Sequence, residues 1–202
     1  MFVKTPKIFF KLFPSIIWKK NTDEKKLWLT FDDGPCLKTT PLILSILNDL
    51  EIKATFFLVG QNIEQFPELT NEIIKSGHIV GNHTYSHKDG FITNNAIYFN
   101  DIEKNNKIEN KAMIFRPPYG RITFTQIKYL RKKYKIIMWD VFTWDFKKNR
   151  SKRIKKNILN NVEKGSIIVL HNNSKSYHNL KESLKSSLVE LKNLGYSFST
   201  TW

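Results

Sequence analysis

Five short apolar runs in this chain each end on a residue with usable chemistry, and helix-like segments separate them. Residues 27–31 run into Asp32 and Asp33, and 78–80 lead to His83 and His87. Residues 113–115 stop at Arg116, 135–139 at Asp140, and 166–170 at His171. Strands separated by helix-length segments predict parallel crossover units, because a strand can return parallel to its neighbour only through such a connection. In parallel sheets and barrels the carboxyl ends of the strands carry the sites, since loops converge there while the strands stay rigid. The pattern reads as an α/β enzyme.

Strands are expected over 27–31 and 54–59, from His78, at Met113, from Lys135, over 166–170 and at Tyr196. Helices are expected over 41–50, 67–76, 94–110, 123–132, 151–161 and 180–194. About seven strands in 202 residues fit an open, distorted (β/α) barrel better than a full eight-fold one of about 250 residues. There is no internal repeat or low-complexity linker, so a single domain is expected.

The amino-terminal stretch 1–26 reads as an extension packed on that domain. Its apolar residues, from Ile8 to Trp18, are interrupted by Lys11 and Pro14, unlike a signal peptide or a bilayer span of about 20 residues. A cytoplasmic protein is the simplest expectation, with peripheral association through an amphipathic surface as the alternative. Cys36 is the sole cysteine, which excludes an internal disulfide and any Cys-based zinc or iron-sulfur site. The formal net charge is +15. The excess is mostly Lys scattered along helices beside many Asn and Ile, so we read it as compositional bias and expect no specific nucleic-acid partner.

Asp32 and Asp33 precede Gly34 and Pro35. Adjacent side chains diverge along a strand, so the two carboxylates are expected to do different jobs, one with a metal and one with a proton; the bland alternative is an Asp-Gly turn. His83 and His87 are four apart, and a helical turn there would place both imidazoles toward one divalent ion. His78 has no partner at ligand spacing and reads as structural. Arg116 stands on a Pro-Pro-Tyr-Gly turn that can hold a guanidinium against a carboxylate, with the Tyr119 amide free to face a developing oxyanion. His171 ends a buried strand, where an imidazole can protonate a leaving amine; a core histidine is the alternative.

Together, Thr30-Phe31-Asp32-Asp33-Gly34-Pro35, His83-Thr84-Tyr85-Ser86-His87, Arg116-Pro117-Pro118-Tyr119-Gly120, the stretch Trp139 to Asp145 and Ile168-Val169-Leu170-His171 resemble the five motifs of the polysaccharide deacetylases of carbohydrate esterase family 4. The resemblance covers 27–202 as a catalytic domain and implies the same distorted barrel. It makes Asp33, His83 and His87 ligands of a divalent metal, zinc first, with cobalt or another divalent ion as alternatives. Asp32 becomes the general base, Arg116 its orienting partner, Tyr119 the oxyanion donor and His171 the general acid. Ile168 and Leu170 are implied to line the pocket for the acetyl methyl, and Phe146 stands where the family carries a groove-lining tryptophan.

Other positions depart from the pattern. Lys88 replaces a proline, Phe142 an aspartate and Asn172 an acidic residue, leaving Asp140 or Asp145 as candidates for the missing carboxylate. The implied activity is removal of N-acetyl groups from an N-acetylglucosamine-containing glycan of peptidoglycan or chitooligosaccharide type, with release of acetate. O-acetyl ester hydrolysis and a non-catalytic glycan- or nucleic-acid-binding barrel are the alternatives.

Overall fold

The structure is a computed structural model and describes residues 2–105, 112–148 and 151–202. Its centre is a curled sheet in which every ladder between named strands is parallel. The strands are β1 (Ile16–Ile17), β2 (Lys26–Asp33), β3 (Thr55–Leu58), β4 (Ile79–Asn82), β5 (Ile114–Phe115), β6 (Lys135–Ile137), β7 (Val141–Phe142), β8 (Ile167–His171) and β9 (Ser197–Phe198). Their order is β1-β6-β5-β4-β3-β2-β8-β7, with β9 added beside β2.

Among the described residues there are nine strands, two more than the expected seven. The additional ones are β1, from the amino-terminal stretch, and β7, which follows the Lys135 strand too closely to read as separate. The expected helix 94–110 is seen as α5 (Asn95–Lys104), and residues 106–111 fall outside the described residues.

Strand β2 shows how the two cores form. Successive side chains point to opposite faces, so Leu27, Leu29 and Phe31 join one buried cluster while Trp28 joins the other. The outer cluster includes Ile43 and Leu47 of α2 (Thr39–Asp49) and Leu180, Leu184, Leu188 and Leu191 of α8 (Tyr177–Asn193). The inner one gathers Phe57, Phe115, Ile136, Ile137 and Val169 inside the curl. Burial on both faces explains the nearly unbroken apolar runs in the sequence.

Local signals set the helix limits. Pro67 opens α4 (Pro67–Lys75), and Asn94 accepts the Ala96 amide at the start of α5. Thr123 and Gln126 form a reciprocal capping box on α6 (Phe124–Leu130). The short α3 (Gly60–Gln65) was not expected, being only six residues long.

The amino-terminal segment pairs with both edges of the curled sheet. Ile16 and Ile17 lie in register with Ile136 and Ile137, while Lys4 bridges antiparallel to Val141 and Lys19 to Ser166. Thr5 N–H donates to the Asp140 carbonyl and Phe142 N–H to that of Val3. The stretch 3–19 therefore closes the gap that an open parallel sheet leaves between its ends. At the amino ends of the strands, Trp202 Nε1 donates to Thr55 Oγ1 and Trp28 Nε1 to the Thr201 carbonyl, tucking the carboxyl terminus against the inner core.

Candidate active site

The carboxyl ends of β2, β4, β5 and β8 deliver Asp32, Asp33, His83, Arg116 and His171 to one cleft of about 710 Å³, with Tyr119, Trp139, Phe142, Trp144 and Phe146 on its walls. Arg116 itself lies below the cleft and is fully buried. It donates through Nη1 to Asp32 Oδ1 at 2.6 Å and to Thr30 Oγ1 at 2.7 Å, and through Nη2 to the Met138 carbonyl at 2.8 Å. Its guanidinium also stacks 4.2 Å from the Phe57 ring centre. This fixed fork holds one oxygen of a buried carboxylate. Asp32 Oδ2 has no hydrogen-bond partner among the described residues, so it is the oxygen available to take a proton.

Asp33, His83 and His87 place one ligand atom each within 4.8 Å of one another. His87 Nε2 is 3.1 Å and His83 Nε2 3.5 Å from Asp33 Oδ1. His83 Nδ1 donates to the Arg116 carbonyl at 2.7 Å, which leaves the Nε2 lone pair facing the cluster. Burial works to raise the Asp33 pKa, but the two imidazoles and the charge of His171 outweigh it and hold the carboxyl well below its ordinary value. One anionic carboxylate and two imidazole nitrogens on an open cleft fit a three-ligand site for a divalent ion with free coordination positions.

The histidines do not stand on a helical turn, as their spacing had implied. They flank an irregular loop in which Thr84 and His87 adopt φ of 60° and 56°. That loop is held by α5: Asp101 accepts the amides of Tyr85 and Ser86 and the Ser86 hydroxyl, while Asn105 Nδ2 donates to the carbonyls of Leu58 and Thr84. Asp101 and Asn105 are not marked by any motif; their signal is that of polar residues four apart, one beside Tyr98 and Ile102 on the buried face of α5 and the other at its C-cap.

Among the described residues, six non-glycines have positive φ; Asp33, His87, Tyr119 and Trp144 line this cleft, and Thr84 is buried in the histidine loop beside it. Such conformations cost about 1–3 kcal/mol each and persist where surrounding contacts impose them. At Tyr119, the backbone N–H makes no hydrogen bond among the described residues, and the ring meets His87 edge-on at 4.6 Å.

Of the two candidate carboxylates, Asp145 and not Asp140 meets His171. His171 Nδ1 lies 2.8 Å from Asp145 Oδ1, and its backbone N–H donates to Oδ2 at 2.7 Å. Burial lowers the His171 pKa, but the charge and hydrogen bond of Asp145, with Asp33 and Asp32 beyond it, raise it to about 9. Asp140 instead accepts from Lys4 and from Ser166. Phe142 and Phe146 stand edge-on to the His171 ring at 5.7 and 5.0 Å.

Ile168 and Leu170 do not line the cleft. Both are in the outer core, because alternation along β8 gives His171 the same face as Val169 and Ile167 and sends Ile168 and Leu170 to the opposite one. The apolar wall comes from Trp139, Phe142, Trp144 and Phe146. Asn172 is structural: its side chain bonds Thr40, and any Cβ at Gly34 would collide with its Nδ2. His78 is buried, with Nδ1 accepting from the Ala54 amide and its pKa pushed down to about 4 by burial and by Lys53.

The sequence pattern describing polysaccharide deacetylases matches residues 19–135. The chain belongs to that family. Asp32, Asp33, His83, His87, Arg116 and Tyr119 lie inside the matched stretch, and Asp145 and His171 beyond it. A peptidoglycan-N-acetylglucosamine deacetylase of Bacillus cereus is 38% identical over 179 residues, covering 85% of this chain and 65% of that relative, so the chain spans just under two thirds of its length. A crystal structure of a peptidoglycan N-acetylglucosamine deacetylase in complex with 4-naphthalen-1-yl-N-oxidanyl-benzamide is similar with a TM-score of 0.90 at 34% identity, covering 97% of this chain and 94% of that one. A family pseudoenzyme from Bacillus anthracis has the same fold, with a TM-score of 0.84 at 26% identity over 92% of this chain and 66% of that one. Polysaccharide deacetylase architecture thus accounts for the whole described barrel.

Proposed function

We propose that this polysaccharide deacetylase is a metal-dependent hydrolase that removes N-acetyl groups from N-acetylglucosamine residues of peptidoglycan-type glycan and releases acetate. The observation that carries the reading is the meeting, in one cleft, of a three-ligand cluster, a buried carboxylate with one free oxygen and a carboxylate-supported imidazole. Asp33, His83 and His87 would hold the ion, with zinc best suited to that donor set. When bound, it supplies Lewis acidity, lowering the pKa of water and polarising the acetamide carbonyl.

Asp32 takes the proton from the attacking water through Oδ2 while Arg116 fixes Oδ1. As the water oxygen bonds to the acetyl carbon, the Tyr119 amide faces the charge developing on the carbonyl oxygen. His171, its Nδ1 held by Asp145, gives the Nε2 proton to the amine nitrogen as the carbon-nitrogen bond breaks. Acetate and the glycan, its glucosamine residue now carrying a free amine, leave the cleft. The aromatic wall offers an apolar surface for sugar-ring faces.

The test is acetate release from N-acetylglucosamine oligomers and from purified peptidoglycan, before and after chelation and after readdition of zinc or cobalt. Chelation should abolish release without unfolding the barrel, and metal should restore it. Release from acetylated xylan alone would assign ester hydrolysis instead. Glycan binding without release, at full metal occupancy, would place the chain with the non-catalytic members.

A further inference from the structure

The amino-terminal stretch closes the barrel, yet it also exposes an apolar surface that the fold does not need. Helix α1 (Lys7–Leu12) buries none of its six residues. Phe9, Phe10 and Phe13 turn inward onto Trp18, with ring centres 5.8 to 6.5 Å apart. That packing leaves Ile8 and Leu12, one turn apart, 55% and 58% exposed. Phe13 also stacks at 5.1 Å on Phe124, which opens α6 and is 71% exposed. Phe124 thus sits beside Phe13, the residue that follows Leu12 at the end of α1, and none of Ile8, Leu12 and Phe124 lines the cleft.

The charge around it is of one sign. Lys7 and Lys11 are exposed on α1, and Lys128 is exposed one turn along α6 from Phe124. The first 22 residues carry five lysines and no acidic residue. Lys4 and Lys19 are occupied by Asp140 and Glu163, whereas Lys7, Lys11 and Lys128 have no carboxylate partner among the described residues. Exposed aliphatic and aromatic side chains between unpaired lysines are the chemistry of a helix lying in a lipid-water interface, apolar groups among acyl chains and ammonium groups at anionic headgroups.

We propose that α1 and Phe124 form a docking surface for a bilayer rich in anionic lipid. Unpaired lysines beside exposed apolar side chains, in a segment whose first 22 residues hold no acidic residue, favour an anionic lipid surface over a protein partner, whose own groups would have to satisfy each lysine individually. Docking holds the barrel at the membrane while its cleft remains open to glycan.

The experiment is flotation of the full chain with vesicles of equal parts phosphatidylglycerol and phosphatidylcholine, against pure phosphatidylcholine. Binding is expected only to the anionic vesicles. Ile8→Ser with Leu12→Ser should weaken it about tenfold or more by removing the inserted apolar area, without altering the melting temperature or acetate release from a soluble oligomer. Lys7→Gln with Lys11→Gln should weaken it by about thirtyfold, since each lysine near an anionic surface contributes about 1 kcal/mol. The charge-matched pair Lys152→Gln with Lys156→Gln, exposed on α7 (Ser151–Leu159), controls for general basicity and should change little. No binding to anionic vesicles, equal losses for both lysine pairs, or concentration-dependent self-association abolished by the Ile8 and Leu12 changes would each overturn the proposal.

Discussion

The two ends of this barrel are built on different terms. At the carboxyl ends of the strands, five residues sit in left-handed backbone conformations, a guanidinium is fully buried against a carboxylate, and an imidazole is held by a second one. At the amino ends, Trp202 and Thr201 close the inner core through ordinary hydrogen bonds to Thr55 and Trp28, and β9 adds a short parallel pairing beside β2. The first end stores strain and buried charge, which are expensive unless their surroundings enforce them. The second only excludes water. Substitutions at the first should therefore abolish chemistry, and those at the second should cost stability alone.

The adjacent carboxylates give the largest expected effects. Asp32→Asn should lower turnover by about a thousandfold or more while metal content stays full, because an amide keeps the shape but cannot accept a proton. Asp33→Asn should lose activity through weak metal binding and be partly rescued by excess zinc. Elemental analysis beside acetate release distinguishes the two, and equal metal retention would remove the division of labour.

Arg116→Ala should destabilise the fold by about 3–5 kcal/mol, since it leaves Asp32 charged and buried without its partner. Denaturant melts of Arg116→Ala and of the double variant Arg116→Ala with Asp32→Ala measure this. The double variant should recover part of the loss, and an unchanged melt for the single variant would show that the rim is not under the electrostatic constraint described.

His171→Ala should cost about a hundredfold in turnover with metal content intact. Its pH signature is sharper. A pKa raised from 6.5 to about 9 means that folding favours the protonated ring, so this contribution to stability is present below pH 6.5 and lost as pH rises through about 9. Turnover that depends on the same proton should fall over the same alkaline limb. Asp145→Asn removes the main cause of the upward shift and should move that limb to lower pH, which a pH-rate profile detects.

The smallest effect belongs to the opposite end. Trp202→Ala should lower stability by about 1–3 kcal/mol through lost packing and lost closure of the inner core, with turnover on a soluble oligomer unchanged at temperatures where the barrel is folded. A large loss of turnover there would break the contrast between the two ends.

Much of the candidate site was legible because every apolar run except the one that stops at Asp140 leads to a side chain at or just below the cleft, and strand ends are marked by the abrupt change from apolar to polar. Asp32, Asp33, Arg116 and His171 stood out for that reason. The loop joining His83 and His87 was legible in spacing but not in conformation, since left-handed residues at Thr84 and His87 leave no compositional trace when neither is glycine. The membership of Ile168 and Leu170 in the outer core follows from strict alternation back from His171.

By itself, the sequence determined a parallel α/β barrel with its chemistry at one end, because hydrophobic periodicity and the residues that interrupt it are local properties. Only the tertiary structure decided that Asp145 and not Asp140 supports His171, that Asp101 and Asn105 hold the histidine loop, and that the stretch 3–19 closes the sheet. These are contacts between residues from 15 to 147 positions apart, or choices between two like carboxylates five apart. Neither spacing nor residue type encodes them, because they depend on which strand edges and helix faces the folded chain brings within hydrogen-bond reach.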